Sequence, residues 1–176
     1  MTISRRDLIQ ATAAAAALPL VKALPPVAPL PPSPKFFTPA EFALVDEMSD
    51  MIIPADAQSG GARAAGCAAY IDARLAEAFE KEEPQRWRAG IKAVEALSQE
   101  MNGKGFMAAT PEQRLALLTR IAAAESDPKS DAEKFFRDIK GSTIRAYYSS
   151  KIGIHDDQRY KGNVIQPGEY AGYDAT

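Results

Sequence analysis

Two short segments mark this chain as helical before anything else is considered. They are Thr38-Pro39-Ala40-Glu41 and Thr110-Pro111-Glu112-Gln113. In each, the threonine can accept a backbone N–H of the first turn and the proline fits the first helical position. The Glu or Gln can reach back to the threonine's own amide. Apolar residues then return at three- and four-residue intervals: Phe42, Val45, Met48 and Ile52 after the first, Leu115, Leu118, Ile121 and Ala122 after the second. No stretch alternates apolar and polar with a period of two over a strand's length. The expected fold is therefore all-α: an antiparallel bundle of about five helices followed by an irregular C-terminal tail.

The remaining helices have the same periodicity. Pro54 stops the first helix, and Phe36 or Phe37 can pack back on its first turns. A turn-rich loop runs from Pro54 to Gly66, in which Asp56 and Ser59 can cap nearby amides. Its paired glycines follow no strand pattern, so they read as a structural loop and not as a phosphate cradle. Cys67, Tyr70, Ile71, Leu75, Ala78 and Phe79 form the apolar face of a second helix. Pro84 opens a third, carrying Trp87, Ile91, Val94, Leu97 and Met101, with Asn102-Gly103-Lys104-Gly105 as its stop. Ser126-Asp127-Pro128 ends the fourth. The fifth runs from about Asp131 to Tyr148, with Phe135, Phe136, Ile139, Thr143, Ala146 and Tyr147 inward.

The two ends differ from this middle. Ser4-Arg5-Arg6-Asp7-Leu8-Ile9 precedes an alanine-rich apolar run, Ala11 to Leu20. Two arginines ahead of a short, weakly apolar segment read as a twin-arginine export signal, with Ser4, Arg5, Arg6, Leu8 and Ile9 as its core. The run falls short of the roughly 20 residues that span a bilayer. Cleavage is expected after Ala23, since the alternative after Ala28 sets Pro29 beside the cut. Residues 24–35 are proline-rich and favour extended polyproline II, a stiff spacer or an arm laid across a partner. At the other end, from about residue 149, Ile152, Ile154, Val164, Ile165, Tyr160, Tyr170 and Tyr173 are too apolar for a solvated tail. Wrapping onto the bundle is expected between Ile152 and Tyr160, and contact with a partner beyond. The domain proper is residues 36–176.

Charge and side-chain inventory exclude several functions. Removing residues 1–23 from 176 takes away Arg5, Arg6, Lys22 and Asp7. It leaves 153 residues with 18 basic and 22 acidic side chains, a net charge of −4. That balance argues against nucleic acid, whose phosphates need Lys and Arg. Cys67 is the single cysteine, so no disulfide forms within the chain. A lone thiol in an oxidising compartment is expected to be buried. His155 is the only histidine, too few for a catalytic triad, haem ligation or most zinc sites. With Asp156 and Asp157 it reads as a surface loop. Glu82 and Glu83 suit a helix start, and Arg86 and Arg88 read as cover on the solvated side of their helix. No catalytic, cofactor-binding or metal residue emerges.

Three blocks together resemble a known family: Phe36-Phe37-Thr38-Pro39-Ala40-Glu41, Asp50-Met51-Ile52-Ile53-Pro54-Ala55-Asp56, and Gly61 through Asp72. They are similar to the small (gamma) subunit, subunit 3, of gluconate 2-dehydrogenase and related membrane-bound sugar dehydrogenases. Phe135-Phe136, Tyr147 through Gly153, and Tyr160-Lys161-Gly162-Asn163 extend the likeness. The resemblance implies a non-catalytic accessory chain. Its partner is a large flavoprotein that holds FAD, and a multihaem cytochrome c with haem c takes the electrons. It also implies carriage through the twin-arginine translocase and a periplasmic place, peripheral on the inner membrane through the complex. No cofactor is implied in this chain. Partner contacts tend to concentrate on Tyr, Trp and Arg, which makes Arg145, Tyr147, Tyr148, Tyr160 and Tyr170 the candidate interface. The alternative, from another class, is an independent periplasmic small-molecule-binding protein or lone enzyme. It would need a concave pocket with convergent polar groups.

Overall fold

A computed structural model describes residues 33–160. Six α-helices follow in order: α1 Pro39–Ile52, the single turn α2 Gly61–Ala64, α3 Cys67–Ala76, α4 Glu82–Asn102, α5 Pro111–Ala122 and α6 Asp131–Tyr148. A 3-10 turn at Phe106–Ala108 joins α4 to α5, and a π-helical turn at Ile152–Asp157 follows α6. There is no strand among the described residues. Five helices of ten residues or more make an all-α bundle, as expected.

The expected caps form. Thr38 Oγ1 accepts from the Glu41 amide at 3.2 Å while Glu41 Oε2 accepts from the Thr38 amide at 2.8 Å. Thr110 and Gln113 do the same at 3.3 and 3.0 Å. A third box opens α6, where Glu133 Oε2 accepts from Ser130 N (2.9 Å) and also from Lys129 N (2.7 Å). Each satisfies amides that a helix start otherwise leaves without partners. Gly103 closes α4 at φ 69°, a left-handed conformation that glycine adopts without strain.

Helix α6 is the centre of the bundle, packed by α1, α3, α4 and α5. Its inward residues are those the spacing predicts, Phe135, Phe136, Ile139, Thr143, Ala146 and Tyr147, joined by Ala132. Trp87 of α4 is fully buried. Its ring lies 5.3 Å from Phe135 in an edge-to-face pair and 6.0 Å from Phe37. Such pairs add roughly 0.5–1.5 kcal/mol beyond the area they bury. Gly90 lets α4 and α6 approach this closely, since a Cβ there would sit 2.5 Å from Phe135.

A polar seam runs beside this core. Ser49 and Thr143 hydroxyls pair at 3.1 Å, the Ser59 and Tyr147 hydroxyls bond each other, and Cys67 Sγ lies 3.8 Å from the Thr143 carbonyl. Cys67 is buried as expected. Burial, with the charge of Asp46, pushes its thiol up to about 11, so it stays protonated and unreactive at neutral pH.

Four expectations are corrected. The loop from Pro54 to Gly66 contains the one-turn helix α2, its start fixed by Gly61 at φ 71° and by the Ala62 amide donating to Ile53 O. On α5 the inward stripe is Leu117, Leu118 and Ile121, and Leu115 is 59% exposed. At 100° per residue Leu115 stands about 200° from Leu117, on the far side of the stripe. Helix α3 ends at Ala76, so Ala78 and Phe79 lie beyond it, and Tyr70 is exposed. Pro84 keeps the two segments from fusing into one helix, since a helix run through it would clash with the Glu80 carbonyl and lose an amide bond; it does not set the end at Ala76. Inside the first turn of α4, Pro84 lacks only an amide that needs no helical partner. The segment after α6 is also more regular than expected, its i+5 bond running from Gln158 N to Gly153 O at 3.1 Å.

Candidate docking surfaces

The N-terminal strap, residues 33–38, is tied down at both edges. Asp72 of α3 is 4% exposed, and its carboxylate accepts three successive backbone amides: Lys35 (2.6 Å), Phe36 (3.0 Å) and Phe37 (2.8 Å). Hydrogen bonds to a charged group are worth roughly 1.5–3 kcal/mol each. From the other side Arg88 of α4 donates to the Phe36 carbonyl at 2.7 Å, pairs with Glu41 at 2.9 Å and lies 4.3 Å over the Phe36 ring. Burial pushes the Glu41 carboxyl up. The Thr38 hydrogen bonds and the Arg88 charge outweigh it and hold the group below its ordinary value. Arg88 is thus a clamp, not a cover for the solvated side. The spacing Ala68-Ile71-Asp72-Leu75 was the readable sign: a carboxylate on an inward stripe must find donors.

The exit from α6 separates the candidate interface residues. Tyr147 is 1% exposed and its hydroxyl is bonded to Ser59, so it belongs to the interior and offers a partner nothing. Tyr148 packs edge-to-face on it at 5.0 Å and remains 42% exposed. The Asp157 charge, with burial, raises the Tyr148 phenol above its ordinary value. Tyr160 is 51% exposed, its amide donating to the Ile154 carbonyl at 3.0 Å. Gly153 packs so closely under this turn that a Cβ would lie 2.1 Å from the Tyr147 carbonyl oxygen. Ile152 packs beside Ala62, Cys67, Ala146 and Tyr147. Arg145 is exposed and forms no ion pair with a described residue. Tyr170 and the export residues Ser4, Arg5, Arg6, Leu8 and Ile9 lie outside the described residues, as does most of the proline-rich segment.

Between α3 and α4 the chain makes a knuckle over residues 77–81. Phe79 at its tip is 97% exposed. Glu77, Glu80, Lys81 and Glu82 around it are exposed and form no ion pair with a described residue. Behind the tip, Arg74 and Glu83 are paired. The Arg74 guanidinium, against burial, holds the Glu83 carboxyl below its ordinary value, and Arg86 and Arg145 add to the effect. Arg86 in turn bonds Asp138 of α6 at 2.6 Å. Arg74, Glu77, Phe79, Glu80 and Glu83 line a shallow hollow here.

Two further concavities lie elsewhere. One, of about 230 Å³, is apolar, between Met51 and Ile52 of α1, Leu115, Leu118 and Ala122 of α5, and Phe136 of α6. The other, between α4, α5 and the start of α6, is lined by Leu97, Arg120, Ser130 and Glu133, the last two engaged with each other as the α6 cap. Among the described residues no cluster of three His, Cys, Asp or Glu could hold a metal, and His155 is exposed. No described helix is long and apolar enough to cross a membrane.

The family described as gluconate 2-dehydrogenase subunit 3 matches residues 39–168. The match takes in every described helix from α1 to the π turn, both sides of the knuckle and the carboxylate that holds the strap. No curated protein and no solved structure matches the chain.

Proposed function

The chain belongs to the gluconate 2-dehydrogenase subunit 3 family, and from that premise we propose that it is the non-catalytic small subunit of a periplasmic FAD-dependent sugar or gluconate dehydrogenase. In this reading FAD sits in the large subunit, haem c in a cytochrome subunit, and no cofactor in this chain. The small subunit stabilises the flavoprotein and escorts it, folded, through the twin-arginine translocase. The complex lies in the periplasm, peripheral on the inner membrane. The match over residues 39–168 carries the proposal. The arginine pair Arg5-Arg6 ahead of a short alanine-rich run supports the export half. The exposed aromatic residues Tyr148 and Phe79 support an interface.

The test is co-export. The large flavoprotein subunit is expressed with this chain, or with a chain carrying Arg5→Lys and Arg6→Lys, and FAD-linked sugar oxidation is assayed in the periplasm. Loss of periplasmic activity with the double-lysine form is the expected result. Activity that persists means that the flavoprotein travels independently and removes the escort role.

A further inference from the structure

We propose that the knuckle between α3 and α4 is the anchor by which this chain docks the flavoprotein subunit, with Phe79 entering an apolar pocket whose rim carries Lys and Arg. The inference rests on the reading of the chain as a subunit of that enzyme and adds the place and chemistry of its contact. Phe79 is 97% exposed, the most exposed large apolar side chain among the described residues. Nothing in the bundle needs it, since the core is closed by Leu75 on one side of the loop and Trp87 on the other. A phenylalanine held fully in water is stabilised when another apolar surface covers it.

The charges around it choose the kind of cover. Glu77, Glu80 and Glu82 stand exposed about the tip against the single Lys81. Like charge excludes the headgroups of an anionic membrane, which attract basic and not acidic segments. It equally disfavours the same knuckle of a second copy. A basic rim on another protein fits, and it would speed encounter and fix register while the buried ring supplies affinity. The knuckle is also rigidly presented. Its two flanking helices are tied by the Arg74–Glu83 pair, and Pro84 keeps the break in place, so little conformational freedom is lost on docking.

The experiment measures affinity of the full mature chain for the purified flavoprotein subunit, with Phe79→Ala, with Glu77→Lys combined with Glu80→Lys, and with Leu115→Ala as an exposed apolar control. Phe79→Ala should weaken binding about thirtyfold, the size of a hot-spot truncation, with an unchanged unfolding midpoint. The charge reversal should weaken binding severalfold and reduce its dependence on salt. Leu115→Ala should change neither. Unaltered affinity in Phe79→Ala, with wild type binding, overturns the anchor and leaves the subunit reading intact. Wild-type chain that fails to bind the flavoprotein overturns both. Phe79-dependent binding to phosphatidylglycerol vesicles, with flavoprotein affinity intact, assigns the knuckle to the membrane and also overturns the proposal.

Discussion

The strap at residues 33–38 and the knuckle at residues 77–81 are both short non-helical segments that carry phenylalanine, and they are treated in opposite ways. Phe37 is 4% exposed against Trp87, and every amide from Lys35 to Phe37 is accepted by Asp72. Phe79 is 97% exposed among carboxylates that pair with no described residue. The difference is not in the aromatic side chain but in what faces it. The strap meets a buried carboxylate and a guanidinium that together satisfy its backbone. At the knuckle no helix covers Phe79. A backbone that lacks a regular partner is fixed when side chains replace that partner, and it is free to serve another surface when they do not.

The largest expected effect lies at Phe37. Phe37→Ala removes an aromatic side chain from the interior and should cost about 3–5 kcal/mol. Urea unfolding followed by the fluorescence of Trp87, the only tryptophan, measures it. A cost below about 1 kcal/mol would make the strap as dispensable as the knuckle. Next is Asp72→Ala, which strips the acceptor from three amides. The Lys35 and Phe36 amides can recover water, so the expected loss is about 2–3 kcal/mol and not the sum of three buried bonds. Asp72→Asn has the same bulk but keeps only one acceptor oxygen and should recover only part of it, whereas a loss due to bulk alone would be recovered in full.

Legibility in the sequence divides along the same line. Helix α6 was readable residue by residue, because Phe135, Phe136, Ile139, Thr143, Ala146 and Tyr147 repeat within one uninterrupted helix that has neighbours on several sides. The apolar spacing of α3 continues to Phe79, past Ala76, where the helix ends. The proline that forbids continuation lies eight residues downstream of Ala76, at Pro84. The spacing Leu115, Leu118, Ile121 and Ala122 omits Leu117, which shifts the centre of the face. The sequence offers Tyr147 both to the inward stripe and to the interface. Burial favours the first, and the Ser59 hydroxyl satisfies the phenol that would otherwise have drawn it outward. Asp72 and Arg88 act across 35 or more residues of sequence, and no local pattern shows which amides a carboxylate will find.

Acid should loosen the strap through Glu41. Glu41 is held below its ordinary value of 4.5 in the fold, so the folded state binds fewer protons than the unfolded chain there. Its contribution is present above pH 4.5 and is lost as pH falls through the folded value. Glu41→Gln keeps a side-chain acceptor for the Thr38 amide but removes the charge that Arg88 meets. The expected loss is about 0.5–1 kcal/mol at pH 7 and low salt, and it should be smaller at a second, acid pH well below 4.5. Denaturant midpoints at the two pH values measure it. No loss at either pH would mean that the capping bond, which Gln keeps, and not the charge, is what Glu41 contributes.

The smallest effect is the one that separates the two segments most cleanly. Phe79→Ala should leave the stability of the chain within about 0.5 kcal/mol, the range of surface changes that touch no packed neighbour. The side chain is equally wet in the folded and unfolded chain, so its removal changes neither transfer energy nor cavity volume. The same substitution at Phe37 differs by several kcal/mol although the chemistry deleted is identical. A destabilisation of Phe79→Ala above about 1 kcal/mol in the chain alone would show the ring to be packed on its own protein, and the contrast with the strap would vanish. An unmoved midpoint leaves Phe79 with no role in holding the bundle together, so any loss of affinity on its removal belongs to the contact it makes with a partner.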